Sequence, residues 1–534
     1  MLLYLKGSNL LCEWKGIIMF SEAYSAIVQG IEGRIIHVEA DVSNGLPCFS
    51  LVGYLSSEVK EARERVRIAL KNSGFKIPPK KITVNLSPAG IHKDGTCYDF
   101  AIAAAVLAAF GIINKEHLDS TVLIGELSLD GKSKAVQGVL PMVYTAYGHG
   151  IKYVIVPKQN VREALFVKGI IVIGVESLEE AVTVLNCDEP CRFACKGENG
   201  GLNWMGRREW VPGFEDIAGQ DMACRAAEVA AAGMHNFLMI GAPGTGKTMI
   251  ARRIAGIMPE PQFSECMEIS KVYSVAGLLT EENPVIQERP FRTPHHTITQ
   301  AALAGGGRYP KPGEISLASG GVLFLDELPE FNRQVLEVLR QPLEDGYVNV
   351  ARLDGNCRYP ARFMLVAAMN PCRCGYYPDR RKCTCTPMQV KNYLGRISTP
   401  LLDRIDICAE TVPLKLDEMN AAINRKKETS EEIRKRVAAA HEIQKERYKN
   451  EDFMFNSCLA PSGIGKYCVL SGEAKDYLES ILGGMSFSAR AYHKVLKAAR
   501  TIADLEGKDL IGKMHIAEAV CYRGINDKYW REGR

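Results

Sequence analysis

An α/β fold is predicted for this 534-residue chain by three features. The apolar run Phe237-Leu238-Met239-Ile240 leads through a glycine-rich stretch, Gly241 to Thr248, into Met249-Ile250-Ala251-Arg252-Arg253-Ile254, which alternates as a helix would. A second apolar run, Gly321-Val322-Leu323-Phe324-Leu325, ends in Asp326-Glu327, and a third, Phe363 to Met369, ends in Asn370. Strand-like and helical stretches also alternate ahead of them, which is the pattern of an α/β or α+β domain.

The glycine stretch reads Gly241-Ala242-Pro243-Gly244-Thr245-Gly246-Lys247-Thr248. Strand, glycine loop and helix start are the context that G-x-x-x-x-G-K-[ST] requires. Small residues let the backbone wrap a phosphate and aim its N–H groups inward, and the helix N-terminus adds positive potential. Lys247 can reach the β- and γ-phosphates, and Thr248 can place its hydroxyl on Mg²⁺. An ordinary Gly-rich turn would not need the full match in this context. The chain is expected to bind a nucleoside triphosphate.

The length exceeds one core, and about 150 residues per domain suggests about three domains. Composition is that of an ordinary globular protein, and a net charge of +4 is too small to argue for nucleic acid or membrane. The 17 cysteines are scattered and follow no secretory signal, so they are read as reduced thiols, with one cluster as a metal candidate. Met1-Leu2-Leu3-Tyr4-Leu5 is interrupted by Lys6, Gly7, Glu13 and Lys15 before a signal core or span could form. Residues 1–18 are set apart as an extension, either disordered or preceding a start at Met19. No other run approaches the roughly 20 apolar residues of a spanning helix. A cytoplasmic location without membrane contact is expected.

The first domain is expected at residues 19–186. Arg34 to Ala40, Lys81 to Leu86, Thr121 to Glu126 and Tyr153 to Val156 read as strands. Ser56 to Ser73 reads as an amphipathic helix carrying Val59, Ala62, Val66 and Leu70, and Phe100 to Phe110 as an apolar helix. Ser87-Pro88-Ala89-Gly90 and Lys93-Asp94-Gly95-Thr96-Cys97 together resemble the proteolytic domain of Lon. Cys97 stands where that domain presents its serine, but Leu140 or Pro141 stands where its lysine would be. A thiol without a base keeps a pKa near about 8.5 and is mostly protonated, so a non-proteolytic module is expected. Residues 187–214 read as a linker. Its Cys187, Cys191 and Cys195 lack an evident fourth ligand and are taken as free thiols.

The core is expected at residues 215–415. Val211 to Gln220 enters it and is placed near the adenine. Asp326 would hold Mg²⁺ directly or through water, and Glu327 would activate the attacking water. Asn370 could position that water. Leu401-Leu402-Asp403-Arg404-Ile405-Asp406 offers a guanidinium that could reach a neighbouring subunit's γ-phosphate. The alternative for Arg404 is a surface salt bridge to Asp403 or Asp406. His295 and His296 point in different directions from most backbones, so they are read as ordering their loop near the pocket rather than as joint metal ligands. Tyr347 to Tyr359 reads as a hairpin turning at Asp354-Gly355. Its Arg352 and Arg358 suit the phosphates of a threaded strand, the alternative being an ordinary solvated hairpin.

Cys372, Cys374, Cys383 and Cys385 follow Asn370 in the arrangement C-x-C-x₈-C-x-C. Four thiolates so spaced can close a tetrahedral Zn²⁺ site, and metal would supply folding energy to a loop with little core of its own. Disulfides are the alternative, disfavoured in a reducing compartment. No open coordination position is evident, so the metal would be structural.

A helical lid is expected at residues 416–534. Thr429 and Glu432 form a capping box ahead of a helix with Ile433, Val437 and Ala440 on one face. Its Arg434, Lys435 and Arg436 are read as a solvated face. Ser488-Ala489-Arg490 opens a helix running through Val495, Leu496, Ala499 and Ile502, from which Arg490 could reach the γ-phosphate. His515 to Arg523 supplies a last helix.

These elements in this order resemble an AAA+ ATPase. Arg289 to Thr299 (RPFRTPHHTIT), Gly305-Gly306-Gly307, Pro312 to Ala318 and Tyr393 to Ser398 narrow the likeness to the magnesium-chelatase branch. With the Lon-like domain in front, the chain from about Met19 resembles the YifB/ComM group of magnesium-chelatase-like ATPases. The resemblance implies a hexameric ring, Asn370 as sensor 1, Arg404 as arginine finger, Arg490 as sensor 2, and a hairpin pointing into the ring's channel. It also implies an association with branch migration of DNA during natural transformation. The expected function is therefore an ATP-hydrolysing, Mg²⁺-using ring motor acting on DNA. The alternatives are a chelatase-subunit or chaperone-like remodeller of protein partners and, more remotely, a Lon-like peptidase.

Overall fold

The computed structural model describes residues 20–195, 213–307, 310–352, 355–414, 428–484 and 488–530. The extension at 1–18 and most of the expected linker lie outside these residues. The chain forms two compact units. One gathers Met1–Trp204 with Ser270–Ile286 and Leu353–Cys357, and the other holds Met205–Ile269, Gln287–Arg352 and Arg358–Arg534.

The first unit is built on a seven-stranded mixed sheet. Its strands are β1 (Phe20–Gln29), β2 (Glu32–Ser43), β3 (Cys48–Val52), β4 (Lys81–Ser87), β5 (Thr121–Leu123), β6 (Tyr153–Pro157) and β7 (Ile171–Val175), in the order β3-β4-β2-β1-β5-β6-β7. β1 and β2 form an antiparallel hairpin with Ala23 opposite Val38. Along β2, Ile36, Val38, Ala40 and Val42 are buried, one face of a period-two strand. From β1 through β7 the neighbours run parallel. The helix Asp99–Ala109 is buried at every residue, as its apolar run from Phe100 to Ala109 requires, and its one charge, Asp99, pairs with Arg65 at 3.0 Å. The helix Ser57–Asn72 starts at Ser56, whose hydroxyl accepts from Val59 N, and buries Val59, Ala62, Val66 and Leu70.

Three features of this unit depend on its packing. Residues 187–195, expected to open a linker, dock instead on β7: Cys195 N donates to Val172 O at 2.8 Å, and Gly174 N donates to Cys195 Sγ at 3.3 Å. Ser270–Ile286, expected within the core, belongs to this unit. Ser274 Oγ donates to the buried carboxylate of Glu163, which also accepts from Leu140 N at 2.9 Å. Cys97 is buried, its thiol donates to Ala26 O at 3.4 Å, and burial pushes it up to about 12. Such a thiol stays protonated and is no nucleophile.

The second unit holds five parallel strands: β8 (Phe237–Gly241), β9 (Phe291–Arg292), β10 (Val322–Leu325), β11 (Met364–Met369) and β12 (Ile407–Thr411). Their order is β9-β10-β11-β8-β12. Every residue of β8, β10 and β11 is buried, consistent with strands covered on both faces. β11 lies between β8 and β10, pairing Met369 with Ile240 and Ala367 with Leu325. That order brings the carboxyl ends of β8, β10 and β11 to one edge, where open parallel sheets bind ligands.

The helices Ser430–Arg447, Ala489–Leu505 and Lys513–Trp530 complete this unit. The first carries the expected box, with Thr429 and Glu432 capping each other's backbone. The second is capped by Ser488, whose hydroxyl accepts from Ala491 N. Ile433, Val437, Leu496 and Ile502 join Val229, Ile254 and Val366 in one hydrophobic core, so these helices and the sheet fold as a body. Among the described residues no helix is long and apolar enough to cross a membrane.

Candidate nucleotide site

The loop after β8 turns through Gly244 and Gly246, with φ of 75° and 89°, and the helix Lys247–Ile257 starts at once. Only glycine takes this left-handed backbone without strain. Thr245, mostly buried, anchors the loop by donating to Ala242 O at 2.9 Å and pairing with Thr411 Oγ1 at 2.6 Å. Thr411 ends β12, a strand that the sequence reading did not mark, because its five residues carry no helix or turn signal of their own.

Lys247 is buried and folds back over the loop. Its Nζ donates to Gly241 O and Ala242 O, both at 2.8 Å, and to Asn370 Oδ1 at 3.2 Å. Burial pushes its ammonium down to about 8, against the opposing pull of Asp326. Thr248 Oγ1 donates to Asp326 Oδ2 at 2.7 Å. The three strand ends foreseen in the sequence thus converge on one site.

Glu327 follows Asp326 with a left-handed φ of 52°, unusual for a residue with a Cβ and a form of strain met at functional sites. Its side chain is 59% exposed, and its Oε2 lies 3.8 Å from His296 Nδ1. His296 also meets His295, ring centroids 4.1 Å apart, and the edge of Phe331. His296 therefore sits beside Glu327, while His295 Nδ1 lies 2.9 Å from Thr297 Oγ1 in its own loop. Gly213 O accepts from Arg253 Nε at 2.7 Å, which places the start of the described entering segment against the helix Lys247–Ile257.

Two arginines stand apart from this cluster. Arg404 follows the short helix Thr399–Leu402 and pairs with Glu344 at 2.6 Å, not with Asp403 or Asp406. Its Nε is buried with no acceptor among the described residues. Arg490 is 68% exposed and lies 3.7 Å from Asp403. Asp406 is held from a different side: Lys494 Nζ lies 3.2 Å and His235 Nδ1 3.6 Å from its carboxylate. In the hairpin, strands Tyr347–Arg352 and Gly355–Pro360 pair as expected, and exposed Arg358 stacks on Tyr347 at 3.5 Å. The side chain of Arg352 and the turn residue Asp354 lie outside the described residues.

The four clustered cysteines come together. Cys372 Sγ lies 3.3 Å from Cys374 Sγ and 3.7 Å from Cys383 Sγ, and all four sulfurs fall within 4.8 Å of one another. Each is a free thiol, so the disulfide alternative is not realised.

A parallel sheet with the P-loop strand flanked by β11, and Lys247, Thr248, Asp326 and Asn370 meeting at its carboxyl edge, is the architecture of an AAA+ P-loop module. Family models agree along the chain. Magnesium chelatase, subunit ChlI, matches residues 213–419; subunit ChlI of Mg-chelatase matches 38–160; and the ChlI C-terminal model matches 427–523. The competence protein ComM of Haemophilus influenzae is 42% identical over 504 residues, 94% of this chain and 97% of that protein. The YifB protein of Escherichia coli is 40% identical over 503 residues, 93% of this chain and 96% of that protein. The magnesium-chelatase 38 kDa subunit of Rhodobacter capsulatus is 23% identical over 321 residues, 57% of this chain and 84% of that protein. The chain belongs to the ComM/YifB family of magnesium-chelatase-like AAA+ proteins.

Proposed function

We propose that this protein is a Mg²⁺-dependent ATPase that assembles as a hexameric ring in the cytoplasm and remodels or translocates DNA, as a branch-migration helicase does. The observation that carries the reading is the meeting of Lys247, Thr248, Asp326 and Asn370 at one sheet edge, with Glu327 next in the chain.

The P-loop amides and Lys247 hold the β- and γ-phosphates, for which Lys247 exchanges the Gly241 and Ala242 carbonyls. Thr248 and Asp326 offer two hard oxygen donors 2.7 Å apart, a donor set that suits Mg²⁺ beside phosphate oxygens. When bound, Mg²⁺ neutralises charge on those oxygens. Glu327 takes the proton of the attacking water, and the Asn370 amide orients that water. Arg490 reports the γ-phosphate to the lid. Arg404 leaves Glu344 to reach the nucleotide of a neighbouring subunit, which makes turnover depend on assembly. Arg352 and Arg358 contact the phosphates of the threaded strand. A structural Zn²⁺ on Cys372, Cys374, Cys383 and Cys385 belongs to the same reading.

The DNA assignment is tested by ATPase assays with forked and single-stranded DNA across a salt series. Stimulation that falls steeply with salt is expected. No stimulation would favour action on protein partners, the reading that the likeness to a magnesium-chelatase subunit supports.

A further inference from the structure

We infer that the loop Cys372–Cys385 binds one Zn²⁺ through its four thiolates and that this metal-locked loop is a positioning device for the P-loop against which it packs. The inference deepens the ATPase reading and rests on it for the identity of the ligand at the P-loop.

The four thiols are spaced as metal ligands are. A tetrahedral site with Zn–S bonds of about 2.3 Å separates neighbouring sulfurs by about 3.8 Å. The separations here are 3.3, 3.7 and 3.6 Å among Cys372, Cys374 and Cys383, with Cys385 inside the same 4.8 Å group. Four soft sulfur donors select Zn²⁺ over Mg²⁺ or Ca²⁺. The backbone supports the set: Tyr377 N donates to Cys372 Sγ at 3.4 Å, and Cys383 N donates to Asp379 O at 2.8 Å. The first, an N–H bond to sulfur, is of the kind that orients and tunes a metal-bound thiolate, and the second fixes the backbone that carries Cys383. Binding would release the thiol protons and turn metal affinity into loop stability.

The loop also touches the P-loop. Gly375 takes φ 86°, and a Cβ there would sit 2.4 Å from Pro243 Cδ, so the loop backbone lies directly on the P-loop proline. The loop leaves β11 just after Asn370, the residue that Lys247 contacts. On its far side Tyr377 meets Tyr529 edge to face, centroids 6.2 Å apart. Tyr529 and Lys528 both bond Glu410 of β12, at 2.5 and 2.7 Å, next to Thr411, which ties down Thr245. The loop is thus wedged between the P-loop and a C-terminal brace. With a hydrophobic core of its own nearly absent, the wedge keeps its shape only if the four sulfurs are joined.

The test measures metal and nucleotide separately on the full-length protein. The purified chain is assayed for zinc by inductively coupled plasma mass spectrometry and titrated with a fluorescent ATP analogue. Cys383→Ser with Cys385→Ser should lose the zinc and weaken nucleotide binding by about tenfold, the equivalent of about 1.4 kcal/mol of lost contact. Because this variant could also unfold, Gly375→Ala is the companion: it should keep one zinc per chain yet weaken nucleotide binding, because its Cβ displaces Pro243. Wild-type protein without zinc overturns the metal site. Zinc-free protein, or Gly375→Ala, that binds nucleotide within twofold of wild type overturns the positioning role. Wild-type protein that holds zinc but binds no nucleotide overturns the ATPase reading, and the positioning role with it, while the metal site stands.

Discussion

Lys247 Nζ donates to Asn370 Oδ1 at 3.2 Å, joining residues 123 positions apart in the chain. The contact exists because β11 lies beside β8, and it puts an amide where the Lys247 ammonium ends. Asn370→Ala should therefore lower turnover more than nucleotide affinity. Single-turnover hydrolysis against analogue binding checks it: equal losses in both would make Asn370 a binding residue only.

The state of Lys247 gives a pH dependence. Burial holds its ammonium down to about 8 in the free site, and phosphates would raise that value on binding. Below pH about 8 both free and bound forms carry the proton, so affinity should be flat. Above it the free site loses the proton that the bound site keeps, so affinity should fall as pH rises. Calorimetry in two buffers of different ionisation enthalpy should show proton uptake near pH 8.5 and none at pH 6.5.

Glu327 is exposed, strained and adjacent to the Asp326–Thr248 contact. Glu327→Gln should bind nucleotide as wild type does and lose about 10² to 10⁴ in turnover, the range of a general base. A decrease in turnover of less than about tenfold would remove it from that role.

Arg404 pairs with Glu344 in the isolated chain. If it acts across a subunit boundary, Arg404→Ala should cut turnover of the assembled protein by about 10³ or more with binding retained. Glu344→Gln removes only the partner and should not reproduce the loss. Intact turnover in assembled Arg404→Ala protein would reject the finger assignment.

Asp406 is a matter of stability. Although burial opposes its charge, Lys494 and His235 hold its carboxyl well below the ordinary 3.8. A carboxylate lowered in this way stabilises the fold fully above pH about 4, and the gain is lost as pH falls below that. Asp406→Asn leaves Lys494 buried without its partner and should cost about 3–5 kcal/mol by urea denaturation at pH 7. The gap between the variant and wild type should narrow as the pH drops below about 4.

Everything encoded locally is legible in the amino-acid sequence. The glycines at 244 and 246 fix the loop's left-handed turns, and the apolar runs before Asp326 and Asn370 fix buried strands. Thr429 with Glu432, Ser488 and Ser56 fix helix starts, since a cap is a contact between residues three apart. Tertiary structure decided everything that depends on which distant segments meet. No local pattern says that β11 inserts between β8 and β10, that Ser270–Ile286 joins the first unit, or that Arg404 finds Glu344 rather than Asp403. The cysteine spacing puts four thiols in one short loop, but nothing local to that loop says that Gly375 packs on Pro243. Long-range pairing is chosen by the burial of whole faces, and an ion pair by which charge the packing brings within reach.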